Sequence, residues 1–162
     1  MCASSLIRVG ELGGTSIHQL ERYIMETKQY YVFDYTLSPD EQLSPHFKAH
    51  EFCCSDLSRV IVLNKALLDL LETIRMHYNK PLIINSAYRT VAYNSSLKNS
   101  SPKSQHIFGN AADIKISGVS PLKLYSWLNS KYPNSLGLGV YDTFVHVDVR
   151  EGKSRWDYRT NK

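Results

Sequence analysis

The chain has 162 residues, 43% of them hydrophobic, and 19 basic against 15 acidic side chains give a net charge of +4. That length suits one domain with a real core and leaves no room for a second of ordinary size. The basic excess is mild and forms no long run, which argues against a nucleic-acid partner, and no apolar stretch approaches the roughly 18 residues of a membrane span.

Cys2, Cys53 and Cys54 are odd in number, and the adjacent pair would strain the backbone if bridged. They read as free thiols. Met1 to Gly14 lacks the basic start and apolar stretch of a secretory leader, so either synthesis as a soluble cytoplasmic protein or a leader lost from the sequence is expected.

In chain order, residues 1–14 read as a loose arm. Thr15 or Ser16 caps a short helix running to about Thr27, with Ile17, Leu20 and Ile24 on one face. Residues 30–37, aromatic and β-branched, predict a strand, and Ser38 to Pro45 a loop. The strongest helical pattern spans about Ser58 to Tyr78, where Val60, Leu63, Leu67, Leu70, Leu71 and Ile74 share a stripe that Asn79-Lys80-Pro81 ends. Leu82–Ile84 reads as a short strand, Thr90–Lys103 as a helical turn and a loop, and Ala111–Ile116 as a strand. Ser120-Pro121 opens a helix to about Lys131. Two strands follow, Leu136–Tyr141 and Phe144–Val149, joined at Asp142-Thr143. Helices and strands mix without regular alternation, which predicts an α+β fold, a small antiparallel sheet with flanking helices.

Three residues stand out chemically: His106, Asp113 and His146. Two imidazoles and a carboxylate suit a catalytic zinc ion, which takes three protein ligands, keeps one position open and brings the pKa of bound water to about 7. Period two puts Phe144, His146 and Asp148 on one strand face, with Val145, Val147 and Val149 on the other. Each residue also has a plainer reading, as a hydrogen-bonded core histidine or an aspartate in a glycine turn, and spacing alone leaves both open.

Ser104, His106, Gly109, Ala111 and Asp113 fit the pattern SxHxxGxAxD, which resembles the signature of peptidase family M15, the D-alanyl-D-alanine carboxypeptidase family. Phe144 to Asp148, FVHVD, is similar to the second motif of its shorter members. Ser86-Ala87-Tyr88-Arg89-Thr90 is similar to its S-G-Y-R-[ST] element, and Leu43 to Phe47 with Glu51-Phe52 resembles the start of its domain. The resemblance covers about residues 43–156. It implies a hedgehog/DD-peptidase-like fold, with 1–42 an N-terminal extension and 43–162 the peptidase domain.

It further implies zinc held by His106, Asp113 and His146, and hydrolysis of peptidoglycan stem peptides; a monomer is expected, with the sequence leaving the oligomeric state open. Whether the bond is that of a carboxypeptidase or an endopeptidase stays open. Arg89 would face the substrate or orient the site, a fixed guanidinium being able to hold a carboxylate or polarise a carbonyl. Ser104 would lie beside the first ligand, and Tyr141, Trp156 and Tyr158 could form a stacking wall. Many family members carry an acid three residues before the last histidine ligand; here that position is Thr143. Asp148 is then the first candidate for general base and Asp142 the second, with Asp148 alternatively tethering an imidazole N–H. Action at the wall without a leader suggests release or phage delivery. Rival readings are a catalytically weak zinc-containing module that binds the wall or a partner, a structural zinc protein with four ligands, and a thiol enzyme using Cys53 or Cys54. His46 and His50 could line the cleft, and His18 and His77 are expected on solvated helix faces.

Overall fold

The computed structural model describes residues 29–34, 36–37, 39–56 and 58–160. The expected N-terminal arm and its helix, with Cys2 and His18, lie outside these residues.

Five strands make the main sheet: β5 (Leu82–Ser86), β6 (Ala111–Ile116), β7 (Gly137–Val140), β8 (Val145–Asp148) and β9 (Ser154–Asp157), in the order β5-β6-β8-β7-β9. All neighbours are antiparallel except β7 and β9, which run parallel. The sheet is therefore mixed at one edge. β9 is an addition to the sequence reading; its Ser-Arg-Trp-Asp carries one aromatic and no β-branched residue, so it lacks a strand signature. Smaller ladders flank the sheet. β1 (Tyr30–Asp34) pairs with β4 (Val60–Asn64), and β2 (Gln42–Ser44) with β3 (Phe47–Lys48), a short hairpin that starts within the expected loop and ends beyond it.

Helix α1 covers Lys65–Tyr78, so the expected start at about Ser58 is corrected. Val60, Ile61 and Val62 are β-branched, and β1 offers them a ladder that an isolated helix reading cannot foresee. Asn64 marks the change, its side chain accepting from the Ala66 N–H as an N-cap. Asn79, left-handed at φ 47°, closes the other end. Helices α2 (Val91–Ser96) and α3 (Pro121–Lys131) begin at caps Thr90 and Ser120.

Leu67, Leu68, Leu71 and Ile74 of α1 join Leu124 and Leu128 of α3 and Ile114, Leu138, Val145 and Val147 of the sheet in one core. The core alternates as the strands do: Val145 and Val147 enter it, while His146 and Asp148 point to the opposite face. Packing the sheet against helices thus leaves its other face free to carry polar groups. Among the described residues no helix is long and apolar enough to cross a membrane.

Candidate metal centre and cleft

The centre sits where β6 and β8 lie side by side. Asp113 and His146 are direct cross-strand partners, so the ladder register alone brings their side chains together. His106 arrives from the turn before β6. That turn is forced tight: Gly109 has φ +68°, and a Cβ there would stand 2.2 Å from the carbonyl oxygen of Val62 in β4. Only glycine permits both the left-handed conformation and that approach.

Asn110 fastens the same turn. Its Oδ1 accepts from the Asn64 amide at 2.9 Å and from the Tyr30 hydroxyl at 3.1 Å, and its own amide donates to Gln105 Oε1 at 3.0 Å. The turn next to His106 is therefore tied to β1 and to the cap of α1.

His106, Asp113 and His146 are 3%, 8% and 8% exposed, and one ligand atom from each lies within 4.8 Å of the others. His106 Nδ1 donates to the Ala87 carbonyl at 2.6 Å, which fixes the tautomer and leaves Nε2 with its lone pair toward the cluster. His146 Nδ1 stands 3.0 Å from Asp113 Oδ1, and its Nε2 3.0 Å from Asp148 Oδ2. Burial opposes charge on Asp113, yet hydrogen bonds with His106 and His146 outweigh it and hold the carboxyl well below the usual range. Burial likewise opposes protonation of His146, but Asp113 and Asp148 on either side push it upward. Two anchored imidazoles and an ionised carboxylate converge with their donor atoms inward. This set fits a metal ion such as zinc, with outer partners that orient the rings.

A cleft of about 580 Å³ opens over the cluster. One wall is aromatic: Tyr141 stacks on Phe144 at 4.3 Å and accepts from Trp156 Nε1 at 3.1 Å, with Tyr158 beside it. The other wall is polar, made by residues 99–105, including Ser104. Arg89 lines the floor, its guanidinium donating to Asp113 Oδ2 at 2.7 Å and to Ser86 Oγ at 2.9 Å. Arg89, Ser104 and Tyr141 thus all border the cleft.

The two candidate bases do not. Asp148 is 0% exposed. It is bound by His146 on one side and on the other by Arg150, whose Nε and terminal nitrogen donate at 2.7 and 2.6 Å. Burial raises its proton affinity, but His146 and Arg150 overcome this and keep the carboxyl well below the usual range. Asp142 accepts from the backbone and hydroxyl of Thr160, both at 3.0 Å, away from the cleft lining. Among the described lining residues Asp113 is the one carboxylate.

Arg150 was missed in the sequence, although period two from His146 through Asp148 leads to it. His46 is bound to Glu72 at 2.7 Å, His50 to the Pro39 carbonyl, and His77 stacks on Trp127 at 4.1 Å; none borders the cleft. Cys54 is buried and Cys53 half-buried, with burial pushing the Cys53 thiol up, the wrong direction for a nucleophile.

A family model described as Peptidase M15 matches residues 45–148. No curated protein and no solved structure matches the chain. The matched span contains the two histidines, Asp113, Arg89 and Asp148, and covers well over half of the sequence, so the chain belongs to peptidase family M15.

Proposed function

We propose that this protein is a zinc-dependent peptidase that hydrolyses peptide bonds in peptidoglycan stem peptides. The observation that carries the reading is the convergence of His106 Nε2, His146 Nδ1 and Asp113 Oδ1 beneath an open cleft. Family membership supports metal-dependent peptide hydrolysis.

His106, Asp113 and His146 would hold the ion, which when bound lowers the pKa of a water and polarises the substrate carbonyl. Ala87 keeps the His106 proton on Nδ1, and Asp148 keeps the His146 proton on Nε2, so both rings present lone pairs inward. We assign Asp148 this tethering role rather than that of general base, because its carboxylate is enclosed between His146 and Arg150. Arg89, fixed by Ser86 and Asp113, holds the metal carboxylate in orientation and offers positive charge to the cleft floor. The aromatic wall excludes water from one side of a bound peptide and stacks against it.

One observation favours a second reading, a wall-binding module with weak catalysis: no described lining residue other than Asp113 bears a carboxylate to accept a proton. A digest of purified peptidoglycan separates the two. Wild type and His106→Ala are incubated with and without added zinc, and released fragments are weighed by mass spectrometry. Zinc-dependent fragments from wild type alone support the peptidase, and their masses name the bond. Tight sedimentation with the wall and no fragments would favour the binding module.

A further inference from the structure

The cleft's basic side chains differ in how they are engaged. Arg89 is paired with Asp113 and Arg150 with Asp148. Lys103 also lines the cleft, and among the described residues no acidic group stands within ion-pair distance of it. No described carboxylate other than Asp113 lines the cleft, so an anion entering it meets an unneutralised ammonium and little repulsion.

The loop that presents Lys103 is built, not loose. Asn94 of α2, 1% exposed, donates from its amide to the Ser101 carbonyl at 2.9 Å. The backbone carbonyl of Asn94 accepts from the Ser100 hydroxyl at 2.5 Å. Ser101 Oγ then accepts from the Lys103 N–H at 3.1 Å, and the Ser101 carbonyl from the Ser104 N–H, also at 3.1 Å. The buried Asn94 amide and the turn bond from Ser104 both hold the Ser101 carbonyl, so the backbone that carries Lys103 is fixed before binding, which reduces the ordering cost there. Hydroxyls of Ser100, Ser101 and Ser104 on the same wall offer further polar contact, while the facing wall is aromatic.

We propose that Lys103 and this serine wall form a subsite for a free carboxylate of the substrate peptide, so that the cleft selects acidic peptides over their amidated counterparts. The proposal rests on the peptidase reading for its substrate class and deepens it. A carboxylate could come from an acidic side branch of the peptide or from its C-terminus, and the chemistry at Lys103 is the same for both.

Three synthetic peptides distinguish the sources. The parent is acetyl-L-Ala-D-Glu-L-Lys-D-Ala-D-Ala linked through the glutamate γ-carboxyl. One derivative is amidated at the glutamate α-carboxyl and the other at the C-terminus. Binding to the zinc-loaded full chain carrying Trp127→Phe is read by the fluorescence of Trp156, which lines the cleft, and hydrolysis is followed separately. One amidation should weaken binding about fivefold, the size expected for an exposed charge pair, and the difference should shrink as salt is raised. In Lys103→Met that discrimination should vanish, and in Lys103→Arg it should persist. Discrimination unchanged in Lys103→Met, indifference of wild type to both amidations, or failure of wild type to bind the parent peptide would each overturn the proposal. Carboxylate-selective binding by a protein that releases no fragments in the peptidoglycan digest would sink the peptidase reading and leave the subsite standing.

Discussion

His146 Nε2 lies 3.0 Å from Asp148 Oδ2, while the opposite ring nitrogen faces Asp113 and His106. The two residues are separated by one position on β8, and their shared face turns a strand's alternation into a ligand and its tether. The neighbouring strand makes room for this: a Cβ on Gly137 would stand 2.1 Å from Asp148 Oδ2.

Replacing the tether should loosen the metal rather than abolish the chemistry. Asp148→Asn is expected to weaken zinc affinity about 10-fold to 100-fold, read by competition with a chromogenic chelator. At saturating zinc most of the turnover should return. Unchanged affinity with turnover lost at every zinc concentration would instead make Asp148 the proton acceptor.

Tyr30 lies outside the family-matched span, yet its hydroxyl reaches Asn110 in the turn that carries His106. Tyr30→Phe removes that hydrogen bond and keeps the ring. A loss of about 1 kcal/mol in unfolding free energy is expected, measured by urea titration of the zinc-free protein. The Asn64 amide still holds Asn110, so zinc affinity should change by less than about threefold. A much larger loss of zinc affinity would make Tyr30 part of the metal-holding framework.

Glu72 gives a pH dependence remote from the metal. Burial resists its charge, but the Ser44 hydroxyl, with the imidazole of His46 at 2.7 Å and its backbone N–H at 2.8 Å, overcomes this and lowers its pKa. A carboxyl depressed in the folded state adds stability above its unfolded pKa, about 4.3, and loses it as pH falls through the folded value. Glu72→Gln should therefore destabilise the protein by about 1 kcal/mol at pH 7, and the gap should close toward pH 3 in thermal melts. A gap independent of pH would contradict this.

Much of the site was legible because it is local in the sequence. His106, Gly109 and Asp113 belong to one turn and strand, and His146 to a strand whose alternation can be read directly. Tertiary pairing hid the rest. Val60 to Asn64 carries apolar residues that continue the α1 stripe, and only β1, about 30 residues earlier, makes it a strand. The basic and polar wall at residues 99–105 has no pattern of its own; its role comes from the buried Asn94 that holds it over the cleft. Acids near His146 are visible in the sequence, but whether one faces the cleft depends on Arg150 and Thr160, which close around Asp148 and Asp142.

The most direct test of the metal centre is zinc X-ray absorption on the purified protein, with metal content measured in parallel on wild type, His106→Ala and His146→Ala. One zinc per wild-type chain, bound by nitrogen and oxygen at about 2.0–2.2 Å with no sulfur, and loss of stoichiometric zinc in both variants, is the expected result. Full zinc retained in both variants, or sulfur in the first coordination sphere, would contradict the assignment of His106, Asp113 and His146.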